Sequence, residues 1–184
     1  MDIVPYGDPV LRAKGERIET ITDEVRALAT EMIETMREAH GVGLAAQQVG
    51  HALQLTVIDV SEVDDRPSRM WVEGQEVEIA RWSPLILINP ELTLSGPPET
   101  GTEGCLSFPN VVADIRRPSR VTTRARLLDG REVVFESEGL LARALQHEVD
   151  HLNGILFIDR MDTATRAGLA GKLKRLQKAY KRGA

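Results

Sequence analysis

Apolar and polar residues recur along this chain with two different periods, and the change of period separates helical from extended segments. Over residues 22–39, apolar side chains return every three or four positions, as on one face of an α-helix. Thr22 can accept a hydrogen bond as the N-cap, and Asp23 and Glu24 place negative charge in the first turn. The pattern predicts an amphipathic helix near the N-terminus.

Extended segments dominate the middle of the chain. Residues 53–60 and 85–92 are rich in β-branched and other apolar side chains, which is typical of strands, and we expect Pro90 to end the second. Two further strands are predicted at 119–129 and 131–139, joined by a turn at Asp129-Gly130. A charged segment, 61–83, separates the first two of these strands. It contains both tryptophans and is consistent with a hairpin, and we assign it no function.

Helical periodicity returns near Gly139, and Gly154 is placed to end that helix. A last helix is predicted at about 163–181. One helix, then several strands, then two helices indicates an α+β fold, with mostly antiparallel sheets around a central helix and with N-terminal and C-terminal helices beside them. At 184 residues, we expect a single domain over 1–184.

Composition excludes several classes of protein. The hydrophobic fraction of 42% and charged fraction of 28% are typical of a globular protein, and the net charge of −5 argues against binding DNA. No apolar run approaches the roughly 20 residues that span a bilayer, and no secretory signal is visible at the N-terminus. A single cysteine suits a reducing compartment, so we expect a cytoplasmic protein without membrane contact.

The segment LQHEVDHLNG contains His-Glu-x-x-His at His147, Glu148 and His151. On a helix the two histidines stand on one face, where they can hold a metal ion with the carboxylate beside a water on that metal. Two ligands do not complete a catalytic metal site. The rest of the chain must therefore supply a third ligand.

Downstream, the ligand positions of metallopeptidases are mostly missing. The position for a third histidine is occupied by Phe157, and no glutamate follows Glu148. Asp159 and Asp162 remain candidates, so a metallopeptidase with a downstream aspartate ligand is the alternative function. These two acids are also well placed to cap or begin the next helix.

Upstream, His40 and His51 flank a glycine-rich segment, and Cys105 is the only cysteine. A thiolate is a good ligand for zinc or ferrous iron, and the neighbouring Gly104 would let the backbone approach a metal closely. We therefore predict Cys105 as the third ligand.

Three segments resemble the signature motifs of the peptide deformylase family, in the order in which that family has them. They are GVGLAAQQ at 41–48, EGCLS at 103–107 and QHEVDH at 146–151. The surrounding chain is similar to the family as well. The resemblance implies an enzyme that removes the formyl group from the N-terminal formyl-methionine of nascent polypeptides.

The same resemblance implies the metal and the catalytic groups. Cys105, His147 and His151 would bind one divalent ion, with water as fourth ligand; ferrous iron is the family's native ion, and zinc, nickel or cobalt can replace it. Glu148 would act as general base and then as general acid. The Gln48 side chain and the backbone N–H of Leu106 would stabilise the oxyanion.

Substrate contacts are expected from two elements. The glycine-rich segment 41–48 fits an extended edge against which a peptide backbone can pair, rather than a nucleotide-binding loop. Val42 and Gly43 in that segment, and Gly104 beside Cys105, are the candidates for contact with the substrate backbone. Ala144 and Leu140 lie one and two turns before His147, respectively, and suit the methionine side chain.

Two residues depart from the family's usual pattern. Arg143 takes the place of an apolar residue, and we expect its stem to line the pocket while its charge stays at the rim. Val112 takes the place of an arginine that many relatives carry.

The predicted C-terminal helix is basic on an otherwise acidic protein. Its apolar stripe consists of Leu169, Leu173, Leu176 and Tyr180. The basic residues around the stripe are Lys172, Lys174, Arg175, Lys178, Lys181 and Arg182. It is either an ordinary packed helix with favourable charges near its C-terminal end, or, as the resemblance implies, a helix that contacts the ribosome.

Overall fold

The computed structural model describes residues 1–183 and contains three α-helices. They are α1 (Asp23–Glu38), α2 (Leu140–Leu152) and α3 (Thr163–Gly183). The hydroxyl of Thr22 accepts a hydrogen bond from the Val25 N–H at 3.4 Å, as its N-cap position predicts. None of the helices within residues 1–183 combines the length and apolar character that a membrane span requires.

Seven strands form one sheet in which every neighbouring pair is antiparallel, in the order β1-β2-β5-β6-β7-β3-β4. Their bounds are β1 Gly43–Ala45, β2 Leu55–Ile58, β3 Ser68–Val72, β4 Gln75–Val77, β5 Leu85–Gly104, β6 Val112–Arg126 and β7 Glu132–Gly139. The predicted α+β class is confirmed.

The prediction that Pro90 ends its strand is wrong. β5 continues past it, because its pairing register with β6 shifts between Ile88 and Glu91. Asn89 adopts a φ of 52°, and its side-chain amide exchanges two 2.8 Å hydrogen bonds with the backbone of Ile18. A bulge leaves one residue out of the hydrogen-bond ladder, so a proline without an N–H can be accommodated there. β5 is bent rather than terminated.

The charged segment 61–83 contains a hairpin, as its pattern indicates. β3 and β4 are joined at Glu73-Gly74, and β3 pairs with β7, so the hairpin extends the sheet at one end. The guanidinium of Arg69 lies 4.7 Å from the ring centroid of Trp71, and that of Arg120 lies 5.6 Å from it. Cation–π contacts of this kind favour an ordered edge.

Helix α2 lies against strands from both halves of the sheet. One apolar cluster joins it to the sheet through Leu141, Leu145, Ile58, Met70 and Phe135. A second joins α1 to β1 and β2 through Met32, Met36, Leu44, Leu55 and Val57, and a third includes Leu11, Phe108, Phe157 and Leu173. Because its inner face packs in the first of these clusters, α2 is held closely against the sheet, and side chains on that face have defined positions.

Candidate metal centre

Two glycines define the ends of the helix that carries the His-Glu-x-x-His sequence. Gly139 precedes α2 with a φ of 72°, and a side chain there would collide with the carbonyl of Pro67. Gly154, at φ 73°, follows the helix, as its sequence position predicts. Within α2 all three motif residues are buried, with relative exposures of 9% for His147, 4% for Glu148 and 1% for His151.

Cys105 reaches the same place from the sheet. It follows Gly104, the last residue of β5, and its Sγ lies 3.3 Å from Nε2 of His151. One ligand atom from each of Cys105, His147 and His151 can be chosen so that all three lie within 4.8 Å of one another. The structure thus brings the three predicted ligand residues together.

The alternative ligands are engaged elsewhere. Asp159 forms an ion pair with Arg12, and Asp162 accepts a 2.7 Å hydrogen bond from the backbone N–H of Thr165 at the start of α3. His51 is exposed. The geometry therefore does not support the metallopeptidase alternative with a downstream aspartate.

The site has the ligand atoms that a metal ion needs, and some of its buried polar atoms have no hydrogen-bond partner among the described residues. A thiolate with two imidazoles suits zinc or ferrous iron. Among the described residues, Oε2 of Glu148 and Nδ1 of His151 are buried without a hydrogen-bond partner. Buried polar atoms are nearly always paired, so an unpaired carboxylate oxygen beside three ligand residues indicates room for a ligand or water. The residues present fit a metal ion.

Glu103 orients one of the two histidines. Its Oε1 lies 2.9 Å from Nδ1 of His147, which directs the other ring nitrogen away from the carboxylate. Arg117 binds both oxygens of Glu103, at 2.7 and 2.9 Å. Burial would raise the pKa of Glu103, but the hydrogen bonds from His147 and Arg117 outweigh it and lower the pKa to about 2. Glu103 is therefore an anion that fixes the His147 ring, a common arrangement beside protein metal ions.

The two histidines and the glutamate respond differently to burial. In His147, hydrogen bonds to Cys105 and Glu103 overcome the effect of burial, so its pKa is raised in the metal-free site. In His151, burial and then the charge of His147 lower the pKa. Burial raises the pKa of Glu148 to about 7. A carboxylate that titrates near neutral pH is suited to accept and return a proton.

Gln48 contacts the candidate metal ligand directly. Its Nε2 lies 3.4 Å from Sγ of Cys105 and 3.3 Å from Oγ of Ser107. Its Oε1 accepts a 3.0 Å hydrogen bond from the backbone N–H of Ala45, which fixes the orientation of the amide. Leu106 follows Cys105 directly, in a turn. The Gln48 amide therefore contacts a candidate ligand, and Leu106 is the next residue along the chain from that ligand.

A cavity of about 550 Å³ opens onto this site. All five predicted substrate-binding residues line it: Val42, Gly43, Gly104, Leu140 and Ala144. The predicted catalytic residues Gln48, Leu106 and Glu148 line it too, as do the candidate ligands Cys105 and His147. His40 lies in its wall as well. The volume is in the range of small-ligand sites, and its lining is partly apolar.

The expectation for the charge of Arg143 is wrong. Arg143 lines the cavity, but its guanidinium turns into the protein and binds Oε2 of Glu103 at 2.8 Å. Its side chain is only 11% exposed, because the carboxylate and nearby backbone carbonyls replace water. Val112 is 63% exposed and pairs with Gly104 across the β5–β6 register.

The sequence pattern predicts no role for Glu103, Arg117 or Ser107, although all three lie close to the site. For Glu103 a signal exists, because it stands two residues before Cys105 and side chains two apart in a strand share a face. Arg117 gives no such signal, since it comes to Glu103 from the neighbouring strand. Ser107 contacts Gln48 only after the chain turns at the end of β5.

Three candidate metal-binding residues with a buried carboxylate beside them, at a cavity large enough for a small ligand, indicate the class of metal-dependent hydrolases. Comparison with known proteins narrows that class to one family. A family model described as polypeptide deformylase matches residues 1–167. The chain belongs to the peptide deformylase family and hydrolyses the formyl amide of nascent peptides.

Individual relatives support the assignment over almost the full length. The peptide deformylase of Opitutus terrae is 45% identical over 185 residues, covering 96% of this chain and 92% of the relative. Peptide deformylase 1B of Arabidopsis thaliana, solved with an inhibitor, has a TM-score of 0.84 at 35% identity. The match covers 100% of this chain and 94% of that one. A peptide deformylase from Synechococcus elongatus, solved with actinonin, has a TM-score of 0.78 at 39% identity, covering 95% and 86%.

Proposed function

We propose that the cavity binds the N-terminus of a nascent formyl-methionyl peptide and that Glu148 serves the release of its formyl group as formate. The observation that carries this proposal is the buried Oε2 of Glu148, without a partner among the described residues, beside Cys105, His147 and His151. An unpaired buried carboxylate costs free energy, so its retention is best explained by a role in proton transfer.

Cys105, His147 and His151 would hold the ion, and we propose ferrous iron, with zinc, nickel or cobalt as replacements. One thiolate and two imidazoles support this choice, since all four ions accept such donors. When bound, the ion supplies a Lewis acid that lowers the pKa of water towards neutrality. Glu103 supports the set by holding His147 through its Nδ1.

Glu148 is the proton carrier in this proposal. Its carboxylate takes the proton of the attacking water as general base and delivers it to the amine that leaves the formyl carbon. Its pKa of about 7 allows both steps near neutral pH. Gln48 and the backbone N–H of Leu106 are the proposed donors to the oxyanion that forms on the formyl oxygen.

The peptide backbone would pair with β1. This strand stands at the end of the sheet order and, among residues 1–183, pairs only with β2, so its other side can accept an added strand. Val42 and Gly43 lie on that segment, and Gly104 lies at the end of β5 across the cavity. Leu140 and Ala144 provide an apolar wall for the methionine side chain.

The decisive experiment is anaerobic purification, metal analysis and assay on matched formyl-Met and acetyl-Met peptides. We expect a stoichiometric divalent metal and release of formate from the formyl peptide, with little activity on the acetyl peptide. Cys105→Ala is expected to lose both metal and activity. An iron-loaded protein inactive on the formyl peptide, or a Cys105→Ala variant that keeps metal and activity, contradicts the proposal.

We also propose a single domain over 1–184, with the basic helix at about 163–181 as part of it. Its support is that Leu173 of α3 is buried and shares an apolar cluster with Leu11 and Phe108. A cytoplasmic location is supported by the need of the site for a free thiol. Limited proteolysis that releases the C-terminal segment from an otherwise native protein would argue against a single domain.

Ribosome contact through α3 is the last part of the proposal. Lys174, Lys178 and Lys181 are exposed, and clustered lysines bind phosphate backbones with strong salt dependence. Because Leu173 is buried, truncation would disturb the core, so charge reversal is the better test. Lys174→Glu, Lys178→Glu and Lys181→Glu together should abolish co-sedimentation with ribosomes at low salt.

The matched control reverses three exposed cations outside α3, with Arg81→Glu, Arg124→Glu and Arg131→Glu. The control protein should still sediment with ribosomes. If both triple variants sediment as the unmodified protein does, α3 is an ordinary packed helix.

A further inference from the structure

Arg143 is tied to both strands of one hairpin, although it plays no part in the proposed chemistry. It lies on α2 one turn before His147. Its Nη1 donates to Oε2 of Glu103 and to the backbone carbonyl of Ile115, each at 2.8 Å, and its Nη2 donates to the carbonyl of Glu99 at 3.0 Å. Glu99 and Glu103 belong to β5, and Ile115 belongs to β6.

Arg143 and His147 share the carboxylate of Glu103. Nδ1 of His147 contacts Oε1, and Arg143 contacts Oε2, so two residues four apart on one helix hold the two oxygens. Arg117 binds the same carboxylate from β6 and reaches back to Asp150 of α2 at 2.9 Å. The carboxylate is therefore fixed between the helix and the hairpin.

These contacts join the two elements that carry the candidate ligands. Cys105 stands at the end of β5, whereas His147 and His151 stand on α2. A metal site needs its ligand atoms placed to within a few tenths of an ångström, and no backbone ladder connects a helix to a strand. Apolar packing holds α2 on the sheet, and polar side chains that span the gap add a directional constraint on this spacing.

We propose that Arg143 is a positioning residue that sets the spacing between the Cys105-bearing hairpin and the helix bearing His147 and His151, so that metal affinity depends on it. The inference rests on the proposed ligand set. Arg143 acts through Glu103 and through the backbone carbonyls of β5 and β6.

The strand is shaped to receive this guanidinium. A Cβ atom on Gly101 of β5 would lie 2.9 Å from both Cζ and Nε of Arg143. Glycine at this position lets the planar group lie against the strand, and alanine would force it to shift. Gly101→Ala thus disturbs the same contact from the opposite side, without removing a charge.

The test measures the dissociation constant for Co²⁺ by chelator competition, and the absorption spectrum of the cobalt-loaded protein. Arg143→Leu keeps an apolar stem but loses every hydrogen bond, and we expect about 10- to 100-fold weaker binding with an altered thiolate–cobalt spectrum. Arg143→Lys keeps the charge without the planar guanidinium, so its Co²⁺ affinity should lie between those of the unmodified protein and Arg143→Leu. Gly101→Ala should weaken binding in the same direction.

Arg120→Leu is the matched control. Arg120 lies on β6 and, like Arg143, forms an ion pair with a glutamate, but its partner Glu138 is at the surface. Its loss should leave cobalt affinity and spectrum unchanged. Urea unfolding of each metal-free variant separates positioning from general destabilisation, because a merely structural arginine would lower stability and leave the affinity of the folded protein intact.

Two results overturn the inference. One is Co²⁺ affinity within about twofold of the unmodified protein in Arg143→Leu, with an unchanged spectrum. If that variant does not fold, the same result in Arg143→Lys and Gly101→Ala is decisive. The other is undiminished binding in Cys105→Ala, which overturns the ligand set and this inference with it. If Cys105→Ala loses Co²⁺ binding while the Arg143 variants bind normally, the ligand set stands and only the inference about Arg143 is refuted.

Discussion

A Cβ atom on Gly43 would lie 2.5 Å from Oε1 of Glu148. The carboxylate of α2 therefore packs directly on the backbone of β1, the edge strand along which we propose the peptide to lie. No side chain larger than hydrogen fits between them. The same glycine gives the proposed general base its place and keeps the strand open to substrate.

Gly43→Ala should displace the carboxylate of Glu148 while leaving the three metal ligands in place. A misplacement of about 1 Å at a reacting group can cost about 100-fold in rate, and we expect a loss of kcat of that order. Metal content should stay stoichiometric. Gly168→Ala is the control, because a Cβ there meets nothing within 4 Å. An unchanged kcat in Gly43→Ala would show that Glu148 tolerates displacement.

Glu148 should make the stability of the metal-free protein fall as pH rises. Burial raises its pKa from 4.5 to about 7, so across this window the folded protein keeps a proton that the unfolded chain releases. The stabilisation is therefore complete below pH 4.5 and is lost as pH rises through about 7.

Urea unfolding of metal-free protein at pH 5 and pH 7 measures this effect against Glu148→Gln, which cannot titrate. The unmodified protein should lose stability relative to the variant, by at most about 1.4 kcal/mol per pH unit for one proton. A stability difference that is the same at both pH values would mean that Glu148 is not protonated near neutral pH.

Gln48→Ala should lower kcat by about 100- to 1000-fold if its amide stabilises the oxyanion. KM should change little, because the interaction strengthens only as charge develops in the transition state. Gln48 also contacts Cys105, so metal content must be measured in the same preparation. Loss of metal together with kcat would assign Gln48 to ligand support instead.

Ala144→Leu should narrow the apolar wall of the cavity. Ala144 is 6% exposed and lines the space before His147, so a larger side chain would occupy part of the volume proposed for methionine. We expect kcat/KM for a formyl-Met peptide to fall by roughly 10- to 200-fold, as for a changed methylene in a hydrophobic pocket. A formyl-Ala peptide should lose less. Equal losses for both peptides would place the methionine elsewhere.

Local patterns were sufficient for the helices and for the chemistry of the central one. The three- and four-residue spacing and Thr22 define α1, and Gly139 and Gly154 bound α2. His147 and His151 face the same way because their four-residue spacing is a property of the helix itself. The prediction for Pro90 is wrong because a bulge depends on the partner strand, which no local pattern describes.

By itself the sequence determined the α+β class, the His-Glu-x-x-His helix and, through three motifs, the family. Only the tertiary structure decided how Cys105 meets the helix, how Glu103 holds His147, and where the charge of Arg143 lies. The reason is physical: hydrogen bonds within a helix or between neighbouring residues follow from spacing alone. Contacts between Glu103, Arg117 and Arg143 depend instead on strand register and on helix packing against the sheet, which long-range burial sets.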